Sequence, residues 1–236
     1  MTGYAICTAP RSGSNFLCQL LAGTGVLGRP LEYFNGPGRR YFDDPCYPDE
    51  PSAQAKQVVT MGATPNGVYG LKLFAHQHDW IVEKIRWTEH LPGLRFVFLT
   101  RRDLLAQGIS WARARQTGQF RHTQATTGAA IFDAASISEC LATIVTEYAR
   151  WQMFFARNGI EPVRLVYEDI VAKPQMAVDS VAGLFGLAGS AVADVASVDV
   201  RTQRDGLTEA WRQRFIAECG DCDFIDRLQG PAPELP

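Results

Sequence analysis

The chain has 236 residues, of which 46% are hydrophobic and 20% charged, and this favours one globular α/β domain, residues 1–236, with a sizeable core. Its formal net charge of −2 is spread along the chain, which excludes an overall basic field and argues against a nucleic-acid partner. The apolar stretch that starts at Tyr4 is only about as long as a strand, far short of the roughly 20 residues of a membrane helix, so no transmembrane segment is expected.

The start of the chain and its cysteines both bear on the cellular compartment. No charged region precedes a long apolar run, so we expect a cytoplasmic protein. The six cysteines fall mostly inside predicted core elements, which indicates reduced, buried thiols and not a disulfide framework. They are Cys7, Cys18, Cys46, Cys140, Cys219 and Cys222.

Residues 4–8 form the first predicted element, a short apolar strand that breaks at Pro10 into a turn rich in Gly and Ser. A helix with apolar periodicity follows directly. Backbone N–H groups of such a turn and of the first helical turn point at one spot, which makes an anion site. We therefore predict that this loop holds a phosphate. The candidate ligands are Arg11, Ser12, Gly13, Ser14 and Asn15.

The same loop argues against an ATP or GTP site. A P-loop NTPase ends this loop in Gly-Lys-Ser/Thr, with the lysine on the β- and γ-phosphates and the hydroxyl on Mg²⁺. Here the positive charge comes from the Arg11 guanidinium, and the serine hydroxyls can only donate hydrogen bonds. The donor substrate is therefore predicted not to be a nucleoside triphosphate.

Further along, apolar runs suited to buried parallel strands alternate with segments of helical period. The runs cover residues 68–74, 95–100 and 163–167, and the most regular helical stripe covers 137–157. Such alternation predicts a three-layer α/β/α fold built on a parallel sheet. A helix is also expected to begin near Asp103.

Two segments and the tail are predicted to be irregular. Residues 35–51 concentrate Gly, Pro and Asp, which favours a long loop. Residues 115–135 are polar and look like a second irregular segment or a lid. The tail, about residues 230–236, is expected to be flexible.

The run APRSGSNFLCQLLAGTGVLGRPLEYF, residues 9–34, resembles the opening Q-R-S-G-S-T-L-L, T-G-V-x-G-x-P and E-F-F motifs of the Stf0 family of sulfotransferases. Residues 64–74 and 95–117 resemble later parts of that family. The resemblance implies a P-loop-like sulfotransferase fold, with 3′-phosphoadenosine-5′-phosphosulfate (PAPS) as co-substrate and PAP as product. It also implies a homodimer that moves a sulfuryl group to a hydroxyl of a carbohydrate or glycolipid acceptor without a metal ion.

The resemblance assigns catalytic roles to three residues. Glu32, in RPLEYF, falls where the Stf0 family has its catalytic glutamate, a base that takes the proton of the attacking hydroxyl. Lys72, in GVYGLKLF, corresponds to the lysine of the K-x-H motif of cytosolic sulfotransferases, which polarises the transferring oxygens. Phe74 replaces the histidine of that motif, which is consistent with a base role at Glu32. Arg11 and Lys72 would balance the charge of the sulfuryl group.

The resemblance also assigns ligands to the 3′-phosphate. Arg101 follows a predicted strand and Ser110 lies in the next helix, in a segment, TRRDLLAQGISWARARQT, that is similar to its Stf0 counterpart. Near the C-terminus, RDGLTEAW resembles the R-K-G…W motif of the wider superfamily. This implies Arg204 as a further ligand and Gly206 as a point of close backbone approach, although Asp205 stands where the motif has lysine.

Two other functions remain open. A P-loop-like nucleotide-dependent kinase would also displace a nucleotide in line, but it needs Mg²⁺ and a carboxylate near the strand ends, where this chain has arginines. A PAP-binding protein without turnover would keep the loop and would not need Glu32. A zinc or redox role for Cys219 and Cys222 is less favoured, because no second ligand pair follows at a usable spacing and the pair ends a predicted helix.

Overall fold

The computed structural model describes residues 1–120, 124, 128–199, 206–226 and 228. The elements in chain order are β1 (Thr2–Thr8), α1 (Ser14–Gly23), α2 (Gly36–Phe42), α3 (Pro51–Met61), β2 (Val68–Phe74), α4 (Ala75–Val82), α5 (Trp87–His90), β3 (Leu94–Thr100), α6 (Leu104–Thr117), α7 (Ala134–Asn158), β4 (Val163–Val166), α8 (Tyr167–Ala172), α9 (Pro174–Gly183) and α10 (Gly206–Cys219). A short 3₁₀ turn, Val195–Ser197, precedes α10. None of these described helices is long and apolar enough to cross a membrane.

The four strands form one parallel sheet in the order β2-β1-β3-β4. In the inner part of the sheet, Ile6 of β1 lies opposite Lys72 of β2 and Val97 of β3. Nearly every residue of β1 and β2 is buried, because helices cover both faces, and this explains why these strands read as continuous apolar runs. All predicted strands are present, and the predicted α/β fold with a parallel sheet is confirmed.

The two faces of the sheet carry separate apolar layers. Val97 and Leu99 of β3 belong to a core cluster that includes buried residues of α1 and α9. Phe96 and Phe98, which alternate with them, contact the ring of Phe155 in α7 at centroid distances of 6.0 and 5.6 Å. Since successive side chains of a strand point to opposite faces, helices pack on both sides of the sheet.

The chain divides into two compact units. The first, Met1–Arg102 with Glu147–Arg201, contains the whole sheet. The second, Asp103–Thr146 with Thr202–Pro236, has a small core in which Ile109, Ile137 and Trp211 are buried together. The single domain expected from the sequence therefore stays a prediction.

The expected loop at residues 35–51 was wrong in part, because α2 occupies residues 36–42. The Asn35 side chain caps this helix by accepting a hydrogen bond from the Gly38 N–H at 3.1 Å. Pro37 lies in the first turn, where its missing N–H has no helical partner to lose. An ion pair of 2.9 Å joins Arg39 to Asp43 one turn on. Composition alone misses such a helix because its end signals outweigh its content of glycine and proline.

The other irregular segment and the cysteines also differ from expectation. Helix α6 continues to Thr117 and α7 begins at Ala134, so only the middle of segment 115–135 is irregular where it is described. Part of that segment, like the tail at 230–236, lies outside the described residues. Three cysteines are buried as expected, but Cys46, Cys219 and Cys222 are exposed, because they lie in a loop and at the end of α10.

Candidate active site

The loop after β1 has the backbone geometry of an anion site. Arg11 and Gly13 both adopt left-handed conformations, with φ angles of 61° and 84°, and Gly13 precedes the first turn of α1. A Cβ atom at Gly13 would lie 2.0 Å from the Tyr167 ring, so both its φ angle and its neighbour require glycine. A left-handed turn that leads into a helix directs backbone N–H groups to one point.

The Ser12 side chain ties this loop to strands β1 and β3 through Thr8. The Thr8 hydroxyl donates to the Leu99 carbonyl at 2.8 Å and lies 2.8 Å from the Ser12 hydroxyl. Because Thr8 has a single hydroxyl proton, the Ser12 hydroxyl donates the other hydrogen bond of this pair. Ser12 is fully buried, and its side chain joins the loop to the sheet through Thr8.

Lys72 stands at the centre of a polar cluster near the carboxyl ends of the strands. Its side chain is only 5% exposed, and Nζ lies 2.7 Å from Glu32 Oε1 and donates to Asn15 Oδ1 at 2.6 Å. The same Nζ lies 5.6 Å from the centre of the Phe74 ring. One cation therefore links the first turn of α1 to the loop that carries Glu32.

The second oxygen of Glu32 is held as firmly as the first. Glu32 Oε2 accepts hydrogen bonds from Asn35 Nδ2 at 2.9 Å and from Gln77 Nε2 at 3.3 Å. Burial raises the pKa of Glu32, but the charge and hydrogen bond of Lys72, with those of Asn35 and Gln77, outweigh it, so the pKa lies below its ordinary value of 4.5. The side chain remains 23% exposed, so the carboxylate is in reach of solvent.

Arg101 contacts the same loop. Its guanidinium donates to the Arg11 carbonyl at 3.2 Å and lies 5.2 Å from the centre of the Tyr167 ring. Arg101 Nε lies 3.8 Å from Glu168 Oε1. The first unit therefore brings together, of the residues predicted from the sequence, Arg11, Ser12, Gly13, Ser14, Asn15, Glu32, Lys72 and Arg101.

The remaining predicted residues belong to the second unit or lie outside the description. Ser110 is half-buried in the middle of α6, and Gly206 is the first, exposed residue of α10. Arg204 lies outside the described residues.

Sequence reasoning missed a second carboxylate near the end of β2. Glu147 of α7 accepts hydrogen bonds from the backbone N–H groups of Ala75 and His76, at 2.6 and 3.1 Å, and lies 2.9 Å from His76 Nδ1. The available signal was local: His76 follows two residues after Phe74, the position that carries histidine in the K-x-H motif. Glu147 itself, 71 positions away, has no such signal.

No metal centre was expected, and the described residues contain no group of three or more His, Cys, Asp or Glu side chains that could hold a metal ion. Positive charge in the candidate site is supplied by Lys72 and by Arg101 beside the loop.

Structural comparison gives the fold. The structure of a sulfotransferase from Alicyclobacillus acidocaldarius matches with a TM-score of 0.52 and 11% identity, over 92% of each chain. The sulfotransferase domain from the curacin biosynthetic pathway matches with a TM-score of 0.50 and 16% identity, over 92% of this chain and 97% of that one. At these identities the likeness shows a shared fold and nothing finer.

Sequence comparison gives the family. Trehalose 2-sulfotransferase of Mycobacterium tuberculosis (strain ATCC 35801 / TMC 107 / Erdman) is 29% identical over 207 residues, which cover 70% of this chain and 76% of that protein. The protein of the same name from Mycolicibacterium smegmatis is 25% identical over 206 residues, which cover 70% and 77%. A family model described as Stf0 sulphotransferase matches residues 3–218. The chain belongs to the Stf0 sulphotransferase family.

Proposed function

We propose that this sulfotransferase uses PAPS as its donor and a carbohydrate or glycolipid hydroxyl as its acceptor. The observation that carries the proposal is the contact of Lys72 with both Glu32 and Asn15, beside a loop shaped for an anion. It supplies one acid–base group and one cation for group transfer at a single place. The names of the two mycobacterial relatives, both trehalose 2-sulfotransferases, support a carbohydrate acceptor.

In this proposal the donor is held at its two charged ends. Backbone N–H groups of the loop from Arg11 to Asn15 bind the 5′-phosphosulfate, since a left-handed turn before a helix suits an anion. The family resemblance assigns the 3′-phosphate to Arg101, Ser110 and Arg204. Arg101 suits this role because its guanidinium is already oriented by the Arg11 carbonyl and the Tyr167 ring.

The proposed base, Glu32, is a weak one while it is paired with Lys72, because the ammonium group favours its ionised form. Donor binding breaks this pair if Lys72 turns to the oxygens of the phosphosulfate. Glu32 then loses its cation, its pKa rises, and it becomes a better proton acceptor. Lys72 would thus activate the base as well as stabilise the leaving group.

The transfer step then balances without a metal ion. The acceptor oxygen attacks sulfur as Glu32 takes the hydroxyl proton, and the bond from sulfur to the bridging phosphate oxygen breaks. The electron pair of that bond goes to the phosphate of PAP, where Lys72 and the loop N–H groups stabilise the charge. The sulfuryl group carries fewer charges than a γ-phosphoryl group, so the two cations Arg11 and Lys72 suffice.

Thermal unfolding with nucleotides tests the choice of donor. We expect PAP to stabilise the protein without Mg²⁺, by about 2.7 kcal/mol at a hundred times its dissociation constant. ADP should do little, because it has no 3′-phosphate for Arg101. Equal stabilisation by PAP and ADP would contradict the PAPS assignment, and stabilisation by Mg-ATP alone would favour a kinase.

Substitution of Arg101 by alanine tests the 3′-phosphate ligand. A charge-assisted contact with phosphate is worth about 1.5–3 kcal/mol, and we expect that loss for PAP but not for adenosine 5′-phosphosulfate, which lacks the 3′-phosphate. Arg102→Ala is the matched control, because Arg102 is 59% exposed and is paired with Asp169. Equal losses for both ligands in Arg101→Ala would show that Arg101 only supports the loop.

The resemblance also leads us to propose a homodimer. A monomer mass in light scattering that does not change with concentration would refute it. The cytoplasmic location likewise stays a prediction from the sequence.

A further inference from the structure

The buried carboxylate of Glu147 makes three polar contacts with the first turn of α4, and one of them is to the ring of His76. The Glu147 side chain is 5% exposed, and a carboxylate in such a place is costly unless its oxygens are satisfied. Oε2 accepts from the Ala75 N–H at 2.6 Å, and Oε1 lies 3.1 Å from the His76 N–H and 2.9 Å from its Nδ1. Both oxygens are thus occupied by the first turn of α4.

This arrangement fixes the tautomer of His76. A carboxylate can only accept, so Nδ1 carries the hydrogen and Nε2 of the neutral ring is left as an acceptor. The His76 side chain is 57% exposed, and its ring stacks on Phe74 at a centroid distance of 5.6 Å and an angle of 26°. Within the described part of the chain, no protein group bonds to Nε2.

His76 also lies next to the proposed transfer site. Its neighbour Gln77 donates to Glu32 Oε2, and the Phe74 ring on which it stacks lies 5.6 Å from Lys72 Nζ. Residues 72, 74 and 76 thus lead from the cation, through the aromatic ring at the end of β2, to the histidine in the first turn of α4. A molecule that presents a hydroxyl to Glu32 has the exposed ring of His76 close by.

We propose that His76, oriented by Glu147, binds a hydroxyl of the acceptor through Nε2, so that a neighbouring hydroxyl of the same sugar faces Glu32. His76 is then an acceptor-binding residue of the transfer reaction and Glu147 its positioning residue. This inference rests on the proposed function, because it assumes a polyhydroxylated acceptor at Glu32. It names a residue that binds the acceptor, whereas the loop and Arg101 bind only the donor.

The proposal carries a pH signature. The hydrogen bond with Glu147 raises the pKa of His76, and the charges of Glu147 and Glu32 raise it as well. Burial and the charge of Arg150 lower it, but the pKa stays above its ordinary value of 6.5. Protonated His76 cannot accept a hydrogen bond. It donates to the hydroxyl oxygen instead, so the hydroxyl keeps a partner but in the opposite direction. Acceptor binding should therefore change as the pH passes through this pKa, well above the range in which Glu32 titrates.

The test uses the full-length protein with PAP or PAPS and two probes, trehalose and trehalose 6-phosphate. The main variant is His76→Asn, whose amide can still donate to Glu147 in place of Nδ1 but has no counterpart of Nε2. His90→Asn is the matched control, since His90 is an exposed histidine on α5. Histidine Cε1–Hε1 NMR signals, assigned by their loss in each variant, report binding in the presence of PAP.

We expect one of the sugars to shift the His76 signal and leave the His90 signal in place. With PAPS, His76→Asn should lower kcat/KM for that sugar roughly 3- to 10-fold through KM, as for one lost hydrogen bond, and remove the step in kcat/KM at the pKa of His76. Glu147→Gln should shift that step, whereas a purely structural role would leave the pH profile of the folded fraction unchanged.

Two results would overturn the inference: a His76 signal that neither sugar moves, or wild-type kcat/KM and pH dependence in His76→Asn. Calorimetry with PAP separates this from the proposed function. If the wild-type protein binds PAP and either result is found, only the role of His76 is contradicted. Protein that does not bind PAP contradicts the PAPS assignment, and the NMR titration without nucleotide still decides the role of His76.

Discussion

Glu32 and Glu147 lie near the same end of β2, but they are held in opposite ways. Glu32 is partly exposed, and its oxygens are held only by side chains, those of Lys72, Asn35 and Gln77. Glu147 is buried and is held by two backbone N–H groups and a ring nitrogen of α4. A carboxylate with a movable cation can change its state when that cation leaves, whereas one tied to the backbone cannot.

The difference suggests a division of labour at one edge of the sheet. A base takes a proton more readily when a stabilising cation leaves it, and in the proposed mechanism the pair of Glu32 with Lys72 permits this. A group that orients another residue must keep its partners throughout, and the buried Glu147 does so. The predictions below test this division, and the largest effect is expected where a proton acceptor is removed.

Glu32→Gln should abolish most turnover and leave donor binding intact. The amide keeps the size and much of the hydrogen bonding but cannot take a proton, so kcat should fall by about 10²–10⁴-fold. Steady-state kinetics with PAPS and a sugar acceptor give kcat, and calorimetry with PAP checks the fold. Glu83→Gln, at an exposed position of the same unit, is the control. A kcat within about threefold of wild type would show that Glu32 is not the base.

Glu147→Ala should act on stability. The substitution leaves the N–H groups of Ala75 and His76 without their acceptor, and we expect a loss of about 2–4 kcal/mol in the free energy of unfolding. Glu139→Ala on the same helix removes only an exposed ion pair with Arg115, which is worth at most about 1 kcal/mol. Denaturant unfolding of both variants gives the comparison. If both lose the same amount, Glu147 is not a structural anchor.

Much of this contrast was beyond the sequence, for a physical reason. The strands could be predicted because their buried runs are continuous, and the loop because Gly13 and its neighbours have a local signature. The α2 helix was missed because a content of Gly and Pro predicts a loop. The Asn35 cap and the place of Pro37 in the first turn favour a helix all the same. The contact of Lys72 with Asn15 depends on the register of β1 with β2, and that of Glu147 with His76 depends on how α7 packs.

Lys72→Met should destabilise the protein less than Glu147→Ala. It leaves Glu32 without its cation, but Glu32 is partly exposed and keeps Asn35 and Gln77, so we expect a loss of about 1–3 kcal/mol at pH 7. The pKa of Glu32 in the variant should rise above that of the wild type. Lys84→Met, at an exposed position, is the control. The deficit should shrink at low pH, and one that is equally large at pH 7 and below 4 would contradict an electrostatic origin.

The smallest effect concerns the pH dependence of stability, where Glu32 and His76 act with opposite signs. The pKa of His76 is raised in the folded protein, so its contribution is full below 6.5 and is lost as the pH rises through the folded value. The pKa of Glu32 is lowered, so its contribution is present above 4.5 and is lost as the pH falls through the folded value. Because His76 is more than half exposed, its contribution should be under about 1 kcal/mol. Urea unfolding from about pH 2 to 9 measures both windows. His76→Asn should flatten the curve above pH 6.5 and Glu32→Gln the curve below 4.5. Because the charge of Glu32 is a minor cause of the raised pKa of His76, Glu32→Gln should also narrow the upper window slightly. A Glu32→Gln variant that abolishes the upper window would show that the two carboxylate sites are not separate.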